Sequence, residues 1–391
     1  MKLKLIAALI ISASSMAHAT DSANVIGDNL PYFNADRAAV QEQAYVIDAT
    51  GKTPEEIGVI IAKSSLERGE ELAPLGDDAE QWLDIAKQAI KNIAKINPDH
   101  FRMLKSQAQY RGISLERLVA STMAPDFTID SGVTGESITD YIDLPNGCTS
   151  VAYNNGLVGQ TLDWPLSSIK DDTTLLKTDH QIGEIGDGTL FQQMGRKVGV
   201  TITHLGRKSI QSTADYSNII TLDALASTAA RMNSVEEVIA LAKQYKLIVP
   251  MNMTVADSQG GYAAINVAGA ETVVHRGNDK GVAFTNHSQS LRDKLIPEGT
   301  SAQQETEVNR KNFWTFARKD AADNFIKFTP ELTVESMKYL FNSKPVNLSK
   351  YNGDEFVTTK AFIWDLNSGC AEFAPENPLF MKGEYTQVCF D

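Results

Sequence analysis

Asn146-Gly147-Cys148-Thr149-Ser150-Val151-Ala152-Tyr153-Asn154-Asn155-Gly156-Leu157-Val158-Gly159-Gln160-Thr161-Leu162-Asp163-Trp164 is the stretch on which the reading of this chain turns. A polar turn, Leu144-Pro145-Asn146-Gly147, delivers a cysteine into the apolar run Ser150 to Tyr153. Asn154-Asn155-Gly156 then turns the chain back through Leu157 to Trp164. Strand, Asn-Gly turn, strand predicts a β-hairpin. Cys148, at its first residue, is placed at the end of a sheet rather than inside a core.

Upstream the chain reads as helix. Thr53-Pro54-Glu55-Glu56 is a capping box with proline at the first helical position, followed by Ile57, Ile60, Ile61 and Leu66 at roughly helical spacing. Gly51-Lys52-Thr53 hints at a phosphate loop, but that motif needs glycine at position 46, which is Val46. Trp82, Ile85, Ala86, Ala89, Ile90 and Ile93 form a second apolar stripe, ended by Asn97-Pro98. Two shorter helices follow, over 100–110 and 114–122, with Ser114 and Glu116 suited to the start of the second. At the N-terminus, Lys2 and Lys4, the apolar run Leu5 to Ile11, and Ala17-His18-Ala19 have the form of a secretory leader over 1–19. That run is too short to span a bilayer, and no later stretch approaches the required length. The expected product begins at Thr20 and is periplasmic or secreted.

Downstream the texture changes to short strands, predicted at 150–153, 157–163, 197–204, 251–256, 261–267, 271–275, 281–285, 359–366, 370–374 and 385–390. Helices are predicted over 222–232, over 234–245 with its own capping box Ser234 and Glu237, near 302–324 and over 333–342. Strands in two groups with helices between them suggest α+β layers rather than strict βαβ alternation. Loops 165–195 and 205–220 read as polar connections that would shape a pocket.

The chain has 391 residues, 42% hydrophobic and 22% charged, which suits a soluble globular protein with a substantial core. Its formal charge is −13, and more negative still without the leader lysines. An acidic surface with no basic patch argues against nucleic acid or an anionic membrane as partner. No His-Glu-x-x-His or paired Cys-x-x-Cys spacing occurs, so no metal site or cofactor is expected. Three cysteines in an exported chain imply one pair and one thiol left over. Cys370 and Cys389 fall in neighbouring predicted strands and are expected to bridge, leaving Cys148 free.

A thiol is a nucleophile as thiolate, with an ordinary pKa of about 8.5, and so needs a base. His100, His180, His204, His275 and His287 are available after the leader, none in a recognisable cysteine-protease setting. A cut between Gly147 and Cys148 would supply another base. The freed α-amino group of Cys148, with an ordinary pKa of about 8, would lie on the nucleophilic residue itself. Gly147 suits such a cut, because glycine tolerates the strained turn that brings the thiol to its own preceding carbonyl.

The run Asn146 to Ser150 with Asn155 to Trp164 resembles the penicillin acyltransferase (isopenicillin-N acyltransferase-like) family of N-terminal-nucleophile hydrolases. Leu104 to Leu118 looks like that family's segment ahead of the cut. Val255 to Ile265, Ala283-Phe284-Thr285-Asn286-His287 and Thr358 to Leu366, with Glu376-Asn377-Pro378, are similar to its later strands. The resemblance spans roughly residues 80 to 380, and its order and spacing carry it rather than any single piece.

The resemblance implies a four-layer αββα sandwich in a single large domain, made as a precursor that cuts itself. Residues 20–147 would stay bound as the smaller chain, and 148–391 would form the catalytic one. It implies Cys148 as nucleophile with its freed amine as base. Asp163 would orient that amine, and the side-chain amide of Asn286 would stabilise the oxyanion. Bile-salt-hydrolase-type relatives place an arginine soon after the nucleophile, whereas here none occurs between Cys148 and Arg196. The supporting cation is left open among Arg196, Arg207, Arg276, Arg292 and Arg310. The expected activity is an exported amidohydrolase or acylase acting on an N-acylated small molecule or short peptide. Acyl transfer, an uncut thiol hydrolase or peptidase with a histidine base, and a non-catalytic exported binding protein are the alternatives. Oligomeric state is open.

Overall fold

A short strand, β1 (Tyr45–Asp48), precedes the first helices. Helix α1 (Pro54–Glu67) begins at the predicted capping box: Thr53 Oγ1 accepts from Glu56 N at 3.2 Å, and Thr53 N donates to Glu56 Oε2 at 2.9 Å. Helix α2 (Ala79–Ile96) buries Trp82, Ile85, Ala86, Ala89 and Ile93, the stripe expected from the sequence, with Ile90 partly buried at its margin. Helix α3 (Pro98–Arg111) starts at the Asn97 cap and ends at Gly112, whose φ of 69° places it in the left-handed region. Helix α4 (Leu115–Met123) completes the run.

The computed structural model describes residues 43–76, 79–123, 147–165, 173–186, 189–205, 216–248, 251–267, 272–287, 299–305, 313–348, 356–379 and 385–391. All of them belong to one compact unit, Gln41–Asp391. The leader expected at 1–19, the turn as far as Asn146, and Arg207, Arg292 and Arg310 lie outside the described residues.

The hairpin is formed by β2 (Thr149–Tyr153) and β3 (Leu157–Pro165), with Thr149 opposite Thr161 and Ser150 opposite Gln160. Three strands then appear inside the stretch expected to be a loop: β4 (Thr174–Lys177), β5 (Gln181–Gly186) and β6 (Thr189–Gly195). They are buried on both faces, and this removes the apolar–polar alternation by which a strand is recognised. β7 (Val198–His204) leads into α5 (Leu222–Ala230) and α6 (Val235–Gln244). The box expected at α6 is half formed: Ser234 Oγ accepts from Glu237 N, but the Glu237 carboxylate takes Asn233 N. β8 (Met251–Asp257), β9 (Tyr262–Val267), β10 (Thr272–His275) and β11 (Gly281–Phe284) follow. Helices α7 (Phe313–Phe328) and α8 (Val334–Asn342) precede β12 (Phe356–Asp365), β13 (Cys370–Ala374) and β14 (Thr386–Cys389).

Among the described residues the strands form two sheets. The first has the order β1-β4-β5-β6-β7-β8-β9-β10, with β1 parallel to β4 and the other neighbours antiparallel. The second has the order β11-β2-β3-β12-β13-β14 and is antiparallel throughout. Alternation sorts their side chains into layers. Val198, Val200, Met253, Val255 and Ile265 of the first sheet pack on α2 to α6. On the opposite face, Leu175, Ile182, Met194, Ala256 and Ala264 meet Val158, Phe362, Trp364 and Phe373 of the second sheet. The sheets approach closely there, since a Cβ on Gly199 would come within 2.5 Å of Val158. The outer face of the second sheet packs Val151, Tyr153, Ala361 and Ile363 against Ala322 and Ile326 of α7 and Met337, Leu340 and Phe341 of α8. The result is a four-layer αββα sandwich, the α+β class expected from the sequence. Cys370 and Cys389 are opposite each other in β13 and β14 and form the expected disulfide; Cys148 is the free cysteine.

Candidate active site at the Gly147–Cys148 junction

Cys148 lies immediately before β2 and is buried, only 4% exposed. Extended backbone sends successive side chains to opposite faces. Thr149 faces α7, where its Oγ1 meets Arg318, whereas Ser150 and Ala152 lie on the inter-sheet side of the strand, the side toward which Cys148 alternates. Gly147 has φ of 133°, in a region that L side chains avoid. A Cβ built there would come within 1.7 Å of Asn286 Oδ1. Backbone conformation and packing both demand glycine at this position.

Asn286 follows β11, the strand next to β2, and so sits beside the junction. Its Nδ2 donates to the His204 carbonyl at 3.0 Å, and its Oδ1 accepts from Arg318 Nη2 at 2.9 Å. In the uncut chain the amide expected as an oxyanion donor is therefore engaged elsewhere. Thr315 Oγ1, one turn before Arg318 on α7, accepts from Asn286 N at 3.2 Å and is 2.8 Å from His287 Nδ1. These contacts tie the end of β11 to the start of α7.

Arg318 is the group that joins these elements. It is fully buried, and its Nη1 lies 3.0 Å from Gly147 O, 2.7 Å from Cys148 O and 3.1 Å from Thr149 Oγ1. The same atom lies 3.6 Å from Asp163 Oδ2. Burial draws the guanidinium pKa down, while Asp163 and Cys148 act against that. Arg318 was not among the arginines considered from sequence. Of those described, Arg196 lies over the Phe390 ring and Arg276 pairs with Glu236. A sequence signal did exist: Arg318, Ala322 and Ile326 stand at i, i+4 and i+8, so a lone charge occupies the core face of α7.

Asp163 comes from β3, where Thr358 of β12 is its register partner and donates to its Oδ1 at 2.7 Å. Burial pushes its carboxyl up to about 7, with Arg318 and the Thr358 hydrogen bond pulling the other way. Burial, together with the Asp163 charge, pushes the Cys148 thiol up to about 12; the Asp163 backbone, Arg318 and the Gln160 side chain oppose it. The uncut thiol is thus held neutral at ordinary pH and needs a base to act. Cys148, Asp163 and Asn286 are brought together around one buried guanidinium. No metal-binding group of three or more His, Cys, Asp or Glu side chains occurs among the described residues.

No protein-family model matches the chain, and no curated protein sequence does. Solved structures do. The chain is similar to a variant of the conjugated bile acid hydrolase from Clostridium perfringens, with 13% identity and a TM-score of 0.45, covering 62% of this chain and 92% of that one. A second variant of that enzyme gives 11% identity and a TM-score of 0.44, with the same coverage. Penicillin V acylase from Agrobacterium tumefaciens gives 14% identity and a TM-score of 0.37, covering 58% of this chain and 82% of that one.

Proposed function

We propose that this chain is a self-processing N-terminal-nucleophile amidohydrolase that cuts its own Gly147–Cys148 bond and then hydrolyses an amide through Cys148. One observation carries the reading: a fully buried arginine donates to the carbonyl oxygen of Gly147, immediately before the single free cysteine. In self-cleavage the ionised Asp163 carboxylate takes the thiol proton, the Cys148 sulfur attacks the Gly147 carbonyl carbon, and negative charge develops on the oxygen that Arg318 Nη1 contacts. The Gly147–Cys148 C–N bond then breaks. The pair of electrons and a proton go to the Cys148 nitrogen, leaving a thioester that water hydrolyses to a Gly147 carboxylate and a free thiol.

After the cut the freed α-amine takes over as the base for the thiol. Departure of the Gly147 carbonyl leaves Arg318 facing a position where a substrate carbonyl oxygen can take its place, so one cation serves both reactions. Asp163, within ion-pair distance of Arg318, supplies a negative charge that keeps the new amine oriented. Attack on a substrate amide gives an acyl-enzyme on Cys148 and releases the amine; water then returns the thiol. Hydrolysis is favoured over acyl transfer because the leader form of 1–19 points to export, away from intracellular activated acyl donors.

Intact mass of wild type and Cys148→Ala under denaturing conditions tests this. The wild type is expected as two species, Thr20–Gly147 and Cys148–Asp391, and the variant as one uncut chain. An uncut wild type that still hydrolyses amides would turn the reading to a histidine base. An uncut wild type with no activity and no acyl-enzyme would indicate a binding protein.

A further inference from the structure

Two fully buried asparagines, Asn252 of β8 and Asn266 of β9, stand on the inter-sheet face of the first sheet, in alternation with residues such as Met253 and Ile265 that face the helices. Register places Thr203 of β7 opposite Asn252, and Asn252 opposite Asn266. The three side chains form one hydrogen-bonded row: Asn252 Nδ2 lies 3.2 Å from Thr203 Oγ1, and Asn266 Nδ2 lies 3.1 Å from Asn252 Oδ1. His275 of the edge strand β10 ends the row, with its Nε2 3.0 Å from Asn266 Oδ1. At its other end the row crosses toward the second sheet, where Thr203 Oγ1 lies 3.3 Å from the Thr285 carbonyl oxygen. Thr285 and Asn286 are the two residues that follow β11.

That carbonyl sets the direction of every bond in the row. A carbonyl oxygen only accepts, so the single hydroxyl proton of Thr203 goes to Thr285. The Thr203 oxygen must then accept from Asn252, whose Oδ1 accepts from Asn266, whose Oδ1 accepts from His275 Nε2–H. Bonds that all point one way polarise one another, and reversing the row would take the Thr203 proton away from Thr285. A return contact runs beside the last of them: Asn286 Nδ2 donates to the His204 carbonyl at 3.0 Å. The end of β7 and the residues after β11 are thereby clasped, each side giving one side-chain donor and one carbonyl. A carboxamide nitrogen carries two hydrogens. The His204 carbonyl uses one and so fixes where the other points.

We propose that Thr203 is a positioning residue for substrate hydrolysis. Its hydroxyl, oriented by Asn252 and Asn266, holds the end of β11 so that the second Nδ2 hydrogen of Asn286 meets the oxyanion formed on a substrate carbonyl. This rests on the amidohydrolase reading above and adds the residue through which the first sheet sets up the Asn286 donor. In the uncut chain the Gly147 carbonyl oxygen has Arg318 as its donor, so self-cleavage does not depend on Thr203. Thr315 of α7 holds Asn286 N and the Thr285 hydroxyl from the other side. Loss of the Thr203 hydroxyl therefore displaces the Asn286 donor rather than removing it.

Thr203→Val, which deletes the hydroxyl and keeps the shape, tests this with acetyl, butyryl and octanoyl p-nitroanilides. Self-cleavage, followed by intact mass, is expected at the wild-type rate and reports an intact fold and junction. On whichever anilide wild type turns over, kcat should fall about tenfold or more with KM within about twofold, as when an interaction made only in the transition state is misplaced. Thr203→Ser should restore kcat. Thr201→Val is the control and should hydrolyse as wild type does: Thr201 lies on the same face of β7, equally buried, and its hydroxyl donates to the Thr254 carbonyl instead. In an Asn286→Ala background Thr203→Val should lower kcat no further, because the donor it positions is gone. A wild-type kcat in Thr203→Val, a parallel fall in self-cleavage, or losses that multiply in the double variant would each overturn the positioning role and leave the amidohydrolase standing. A self-cleaved wild type that hydrolyses none of the three anilides overturns both.

Discussion

Arg318 Nη1 lies 3.0 Å from the carbonyl oxygen of Gly147, although 171 residues separate them. It links a buried charge to the bond before the free cysteine. Replacing Arg318 with methionine should stop self-cleavage, and lysine should slow it by about 10²–10³, the usual effect of losing an oxyanion donor. Methionine also leaves the Asp163 carboxylate buried without its cation, which costs about 3–5 kcal/mol. Arg196→Met is the control, since Arg196 contacts the Asp179 carbonyl and the Phe390 ring instead, and it should cleave normally. Intact mass against time after refolding reads the rates, and unimpaired cleavage in Arg318→Met would remove the guanidinium from the reaction.

The Asn286 side chain fills the space that a side chain on Gly147 would need. Gly147→Ala would set a methyl within 1.7 Å of Asn286 Oδ1 at a φ of 133° that alanine resists. It should remain one chain and melt lower than Cys148→Ala, which is uncut for a chemical reason alone. Adding Asn286→Gly relieves the clash but not the backbone strain, so melting should recover in part. Full recovery would mean that φ at this position is unstrained.

The carboxyl of Asp163, ordinarily at 3.8, is pushed up to about 7 by burial, and the Arg318 and Thr358 contacts only partly counter this. Between those two values the folded chain binds more protons than the unfolded one. Its contribution to stability is therefore complete below pH 3.8 and is lost as pH rises through about 7. The uncut Cys148→Ala chain should lose stability over that window, and Asp163→Asn in the same background should flatten the loss. Self-cleavage should run in the opposite sense, rising through pH 7 as Asp163 ionises beside the neutral thiol. A cleavage rate that is level from pH 5 to 8, measured by intact mass, would exclude Asp163 from that step.

Local chemistry is what made parts of this molecule legible in sequence. The Asn154-Asn155-Gly156 turn, the Thr53 box and the α2 stripe each announce their structure within a few residues, and so did the cysteines of two short neighbouring strands. Cys148 could be singled out from its turn and its lone status, whereas Asp163 and Asn286 could be nominated only through the family resemblance. Arg318 was missed although its spacing with Ala322 and Ile326 puts it on the core face of α7, because which strand that face meets is decided by packing across the whole chain. Strands β4 to β6 escaped for a related reason. Gln181, Glu184, Gln192 and Gln193 are polar yet buried, and Gly183, Gly186 and Gly195 read as turns, so the segment imitates a loop.

The Cys370–Cys389 bridge closes a separation of 19 residues at the β13–β14 edge, remote in strand order from β2. Loop-closure entropy puts its worth at about 3 kcal/mol. Cys370→Ala with Cys389→Ala should lower the melting temperature and leave self-cleavage intact. Denatured, unreduced wild type should titrate a single thiol, Cys148, and three titratable thiols would contradict the bridge.

His100 Nε2 lies 3.0 Å from Asp223 Oδ2, and both side chains are less than 5% exposed. Burial alone would raise the Asp223 carboxyl, but the His100 contact and the donors at Thr221 and Ala224 outweigh it and hold it below the ordinary value. The pair joins α3 to α5. Around it Asn97 Nδ2 donates to Thr228 Oγ1, Arg231 Nη1 meets Asp99 Oδ2 at 2.8 Å, and Asn92 Nδ2 donates to the Ile219 carbonyl. Every one of these contacts crosses the Gly147–Cys148 bond, so a cut there makes them contacts between two chains. With the shared core of Ile93, Leu104 and Ala108 against Leu225 and Ala229, they should hold the pieces together. Cleaved wild type is therefore expected to elute as one particle on gel filtration and to separate only in denaturant. His100→Leu strands a buried carboxylate, a loss of about 3–5 kcal/mol, and should let the smaller chain dissociate at a lower denaturant concentration. Adding Asp223→Leu removes the stranded charge and should restore much of that loss. If the pieces of the wild type elute apart under native conditions, the segment before the cut is a released propeptide and not a subunit.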